Sequence, residues 1–125
     1  MTAYARARFA LKRVYLPREE TDGVRVLVDR LWPRGVSKGE AHVDLWMKDV
    51  APSSDLRKWF GHDPERFAEF RQRYRKELKD RTDDLVELRR LAADHLVTLV
   101  YSAHDELHNQ AVVLAEVLAA KEKDA

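Results

Sequence analysis

The sequence predicts an α/β domain: a sheet of about four strands, mostly parallel but open to one antiparallel pair, flanked by helices. Two observations predict it. Short apolar, β-branched runs stand at Val26-Leu27-Val28 and at Leu96–Tyr101. Between and after them lie segments with helical periodicity, most of them opened by a capping residue. Strands separated by helices imply crossover connections, and crossovers imply a parallel sheet. With 125 residues and no repeat, low-complexity tract or linker, the chain reads as one domain over residues 1–125.

The elements follow in order. Phe9–Leu16 reads as a strand, with Phe9 and Leu11, then Val14 and Leu16, as its apolar pairs. Pro17–Gly23 is polar and turn-like, too short for a helical crossover, so the strands beside it are either antiparallel or not neighbours. Val24–Leu31 is the second strand, and its core is apolar on both faces, as suits a central strand. Pro33-Arg34-Gly35 ends it, and Ser37 with Glu40 has capping-box spacing for a short helix. Val43–Val50 alternates Val43, Leu45 and Met47 against Asp44, Trp46 and Lys48, as in a half-buried strand. Pro52-Ser53-Ser54-Asp55 opens a helix that Gly61 closes. Asp63-Pro64-Glu65 starts the next, whose stripe is Phe67, Phe70, Tyr74 and Leu78. Thr82 or Asp83 caps another, with Leu85, Leu88 and Leu91 inward. After the Leu96–Tyr101 strand, Leu107–Lys121 is helical, and Ala111–Ala120 is apolar nearly all round and therefore buried.

Composition narrows the function classes. Without cysteine there is no disulfide framework, thiolate nucleophile or cysteine-based metal site. Absence of cysteine does not fix a compartment, but nothing in the sequence contradicts the reducing cytoplasm, which is the expected one. The basic segment Met1–Arg8 lacks the apolar run of a signal peptide, and no stretch approaches the ~18–20 apolar residues of a membrane span. A net charge of +1 is no argument for a nucleic-acid or membrane partner. Arg6, Arg8, Lys12 and Arg13 are basic, as is the helix from Pro64, but Glu65, Glu69, Glu77 and Asp80 interleave with that helix and suit a solvated face. His104-Asp105-Glu106-Leu107-His108 imitates a zinc-protease motif, yet Asp105 stands where the glutamate base belongs and no third ligand is evident. Neither a metal nor a cofactor is expected.

In an open α/β sheet, ligands bind beyond the carboxyl ends of the strands. Three such ends carry polar clusters here: Asp29, Arg30, Trp32 and Arg34 after the second strand; Lys48, Asp49, Ser53 and Ser54 after the third; Ser102, His104, Asp105, His108 and Asn109 after the last. Guanidinium and ammonium groups, serine hydroxyls and free helix N–H groups together suit a phosphate or carboxylate. The expected ligand is small and anionic, bound by Arg30, Trp32, Arg34, Lys48, Ser53, Ser102, Asp105 and Asn109, with or without turnover. His108 is the candidate acid or base, because imidazole exchanges protons near neutrality. Each has a plainer reading. Arg30 and Asp29 can pair and satisfy buried backbone, the serines can be caps alone, His62 can be a turn residue, and Trp32, Trp46 and Trp59 suit a core or lid. The competing functional classes are a nucleic-acid-binding module and an interaction domain anchored by an exposed Trp32 or Trp59.

The stretches Val26–Lys38, Leu45–Ser53, Leu56–Pro64 and His108–Leu114 together resemble the YeaO-like branch of domain-of-unknown-function family 488, and the likeness covers nearly the whole chain. The resemblance implies an α/β fold with a largely parallel sheet and implies no activity. In the broader family the second strand ends in an Asp-x-Arg pattern, and a loop ending Cys-His-Arg follows the last strand. The matching places here are Asp29-Arg30, shortened, and Leu107-His108-Asn109, which lacks both the cysteine and the arginine. The resemblance therefore carries over His108 and no chemistry that needs the other two.

Overall fold

The computed structural model of the protein describes residues 9–124, and side chains as far as Ala120. Met1–Arg8, with the basic residues Arg6 and Arg8, and the side chain of Lys121 lie outside the described residues. Four strands form one sheet: β1 (Phe9–Arg13), β2 (Val24–Leu27), β3 (Leu45–Trp46) and β4 (Val97–Tyr101), in the order β1-β4-β2-β3. Every pairing is parallel. Of the two arrangements left open for the Pro17–Gly23 link, the structure has the second, because β4 lies between β1 and β2. Residues 14–23 reach, fully extended, roughly 33 Å. That suffices to return along a strand of roughly 17 Å and step sideways across two spacings of ~4.8 Å.

Five helices complete the described chain: α1 (Lys38–Ala41), α2 (Ser54–Phe60), α3 (Phe67–Leu78), α4 (Thr82–Asp94) and α5 (Gln110–Asp124). The predicted caps hold for α1, where Ser37 and Glu40 form a full capping box, and for α2, where Ser53 Oγ accepts from Leu56 N–H and Gly61 closes the helix in the left-handed region. Asp63 caps a 3-10 turn over Pro64–Arg66 that runs into α3.

The main core lies on one face of the sheet. Val26, Val28, Val97, Leu99 and Tyr101 meet the inward faces of α2 to α5, including the predicted α3 stripe of Phe67, Phe70, Tyr74 and Leu78. The other face is thinly covered. Leu27 and Val100 pack with Val14, Ala41 and the edge-to-face pair Trp32–Trp46, whose ring centroids are 5.4 Å apart. Buried Arg25 fills the rest, donating to Asp22 (2.7 Å) and to the carbonyls of His42 and Ala41. Among the described residues no helix is long and apolar enough to cross a membrane.

Several expectations need correction. The first strand stops at Arg13, because Leu16 N–H turns back to the Arg13 carbonyl. The second stops at Leu27. Val28 N–H still reaches the Val100 carbonyl, but the chain then leaves the sheet. The third is only Leu45–Trp46, after which Lys48–Val50 coils into a 3-10 turn that sends Val50 into the core. The alternation fails at its centre, with Leu45 40% exposed while Trp46 packs in the second core, but Val43 and Met47 pack inward and Asp44 and Lys48 are exposed as expected. Neither Thr82 nor Asp83 caps α4. Arg81 occupies the N-cap with no side-chain bond, its N–H taken by the Leu78 carbonyl within the tight α3–α4 turn. The last helix begins at Gln110, not Leu107. Asp105 binds the N–H groups of Leu107 and His108 in a turn, and Asn109 is the cap, its Oδ1 accepting from Val112 N–H. The heavy burial expected for Ala111–Ala120 is present: Ala111, Val113, Leu114 and Leu118 are buried, the other residues of 111–119 are partly buried, and Ala120 alone of this stretch is exposed.

Candidate functional site

Because β2, β3 and β4 run parallel, their carboxyl ends share one edge, and a cavity of about 430 Å³ opens there. Its inner wall is buried: Asp29, Phe60, Phe70 and Ala103. Tyr15, Leu31, Arg34, Arg57 and His62 are exposed and form the rim. Arg30, Trp32, Ser102 and Gln110 stand between, half-buried.

Local sequence explains each placement. Asp29 follows the apolar run of β2, where the chain leaves the sheet. Its carboxylate accepts from Ser102 N–H (3.0 Å) at the end of β4 and from the Gln110 side-chain amide on the first residue of α5. Burial pushes the Asp29 carboxyl up from its ordinary value, while Ser102, Gln110 and the nearby His62 partly oppose the shift. Arg30 turns the other way, donating to the carbonyls of Pro52 (2.8 Å) and Ala51 (3.1 Å) ahead of α2. Asp29 and Arg30 thus each have partners of their own, as the plainer reading allows for Arg30, while both still line the cavity.

The rim is held by the end of β1. Arg13 Nε donates to the Ala103 carbonyl (2.8 Å) and its guanidinium sits 5.0 Å from the Tyr15 ring centre. Tyr15 in turn donates its hydroxyl to the Arg34 carbonyl at 2.8 Å, fixing the Pro33-Arg34-Gly35 turn. No described residue gives the guanidinium of Arg34 or of Arg57 a hydrogen-bond or ion-pair partner.

Of the residues expected from sequence, Arg30, Trp32, Arg34 and Ser102 line this cavity. The others lie elsewhere. Lys48 sits 4.9 Å over the Trp46 ring, and Ser53 is bound to Glu77 through both its N–H and its hydroxyl, beside a second cleft of about 220 Å³. Asn109 is the buried cap of α5. His108 Nδ1 meets Asp105 Oδ2 at 2.8 Å, and its ring stands edge-on to Phe67. Asp105 is held below the ordinary carboxylate range by the Leu107 N–H and by His108. Neither residue of that pair lines the cavity. Among the described residues no three His, Cys, Asp or Glu side chains group as metal ligands would.

Residues that sequence reasoning missed are Tyr15, Arg57, His62 and Gln110, while Asp29, named in the strand-end cluster but not among the expected ligand residues, also lines the cavity. Arg57 carried a usable signal: it lies three residues before Phe60 and so shares its helix face. Gln110 carried none, because its partner Asp29 is 81 residues away.

A family model described as "Inactive DUF488-N3 subclade" matches residues 8–125. The uncharacterized protein Rv3073c of Mycobacterium tuberculosis is 47% identical over 111 residues, covering 89% of this chain and 93% of that protein. The uncharacterized protein Mb3100c of Mycobacterium bovis gives the same figures, 47% over 111 residues. The uncharacterized protein YeaO of Escherichia coli is 44% identical over 107 residues, 86% of this chain and 93% of its own length. No solved structure matches significantly. With the family model spanning all but the first residues and these relatives matched nearly end to end, the chain belongs to domain-of-unknown-function family 488, in its YeaO-like branch.

Proposed function

We propose that the protein binds a small anionic or phosphorylated ligand in the cavity at the carboxyl edge of the sheet, and does so without turnover. The observation that carries this reading is the pair of guanidinium groups, Arg34 and Arg57, on the rim of one cavity and without partners among the described residues. Arginine offers planar, bidentate donors matched to phosphate and carboxylate. Arg30 adds a third positive charge to the lining. Absence of turnover is supported by the description of the matching subclade as inactive, and by the position of His108 outside the lining. A cytoplasmic location belongs to the same proposal, since charged phosphorylated molecules do not cross an apolar bilayer unaided.

The two other readings have less support. On α3, Arg71 and Arg75 meet Glu116 and Arg73 meets Glu69, so that basic face is largely neutralised. Trp32 is paired with Trp46, and Trp59 lies beneath Arg66 and Arg73, so neither is a bare anchor.

Thermal unfolding with inorganic phosphate, sulfate and small carboxylates tests the proposal. An anion at ~100 times its dissociation constant should add about 2.7 kcal/mol of stability, several degrees for a domain of this size. Arg34→Ala and Arg57→Ala, both at exposed positions, should change the stability of the free protein by less than about 1 kcal/mol and abolish the shift. Shifts that survive in both variants, or no shift with any anion, would sink the reading.

A further inference from the structure

The cavity has two chemically different ends. An entering ligand meets the cations Arg34 and Arg57 first and the buried carboxylate of Asp29 last. A dicarboxylate or a bisphosphate would set its second anion against Asp29, and like charges in a partly desolvated site repel strongly. An ammonium group would have to enter past a lining that carries three arginines against one carboxylate. The inner end therefore suits neutral groups that both donate and accept.

Asp29 accepts from Ser102 N–H and from the Gln110 amide, and the Ser102 hydroxyl also interacts with it. A carboxylate has about four lone-pair sites, so acceptor capacity remains. Ser102 and Gln110 add a hydroxyl and a side-chain carbonyl beside it. Phe60 and Phe70 supply an apolar wall for the C–H face of a ring. A volume of about 430 Å³ admits a molecule larger than free phosphate.

Resting on the anion-binding reading, we propose that the ligand class is the sugar monophosphates: phosphate on Arg34 and Arg57, sugar hydroxyls on Asp29, Ser102 and Gln110. Binding to wild type is measured by calorimetry with inorganic phosphate, ribose, ribose 5-phosphate, succinate and phosphoserine. Ribose 5-phosphate should bind at least about tenfold tighter than inorganic phosphate, the effect of one or two added hydrogen bonds. Asp29→Asn and Gln110→Ala should each erase most of that advantage while leaving phosphate binding intact, and the double variant Arg34→Ala/Arg57→Ala should lose both ligands. Gln110→Ala stands in for Asp29→Asn should the latter fail to fold. Ribose 5-phosphate binding no tighter than phosphate, or weaker than succinate or phosphoserine, overturns the sugar assignment and leaves the anion site standing. No binding of phosphate, of any phosphorylated probe or of succinate overturns both.

Discussion

Asp22 and Asp29 stand at opposite ends of β2, both buried, and their surroundings push them in opposite directions. Burial raises the Asp29 carboxyl above its ordinary 3.8, and its partners only partly offset this. For Asp22 burial also opposes the charge, but the Glu19 N–H, Lys12 and Arg25 outweigh it and hold the carboxyl below 3.8. The native state thus keeps the Asp29 proton to higher pH than the unfolded chain does. The resulting stability is complete below the ordinary carboxylate value and is lost as pH rises through the raised one. Asp22 gives the mirror image: its contribution is present above the ordinary value and lost as pH falls through the lowered one. Urea unfolding across the acid range should therefore show the wild-type-minus-Asp29→Asn difference falling as pH rises. The wild-type-minus-Asp22→Asn difference should rise over the same range. Parallel trends for the two variants would mean that the environments have been misassigned.

Among the elements, the junctions are where single changes matter most. Gly23 enters β2 with φ +65°, and a Cβ there would stand 2.2 Å from the Leu96 carbonyl oxygen, on the strand approach that Val24 N–H also binds. Gly23→Ala should cost about 3 kcal/mol or more, combining left-handed strain with a clash that only backbone movement relieves. Gly35 has φ +73° with nothing within 4 Å, so Gly35→Ala should cost only about 1 kcal/mol. Asn109→Ala removes the α5 cap and the bond from its amide to the Asp105 carbonyl at a buried position, and should cost about 2 kcal/mol. Chemical denaturation of the three variants gives the ranking, and equal costs for the two glycines would contradict the packing argument. The same junctions separate what was legible in the sequence from what was not. Ser37, Ser53 and Gly61 act through contacts three or four residues away, and local pattern sufficed to read them. The brevity of β3 was hidden because it depends on Arg25 and Leu27, whose backbones take up its flanks at Asp44 and Met47. Arg25 itself, a charged residue in a central strand, is buried by virtue of Asp22, Ala41 and His42, which no window around β2 weighs together. In the candidate site, residues at strand ends such as Arg30, Arg34 and Ser102 follow from the topology rule, whereas a helix start at Leu107 draws Asp105 and His108 toward the site and the observed start at Gln110 leaves both outside its lining.

At the scale of the molecule, the helices lie mainly on one face and the second face rests on Trp32, Trp46 and Arg25. Removing the Trp46 ring would open that face and free the Asp29 carbonyl that the indole N–H holds at 2.8 Å, so Trp46→Ala should lower stability by about 3 kcal/mol or more. It should loosen the cavity edge as well, read as faster amide exchange at Asp29 and Arg30, while protection confined to its wild-type pattern would argue against the link. The strand order carries one more consequence, in time rather than in space. β1 is made first, yet its partner along the whole of Phe9–Arg13 is β4, and β4 also supplies the register for β2. During synthesis the chain must wait for Val97–Tyr101 to leave the ribosome before its first strand has anything to pair with. Until then Phe9, Val14, Val26 and Val28 belong to no completed core, and the nascent protein is open to proteases and chaperones for most of its translation.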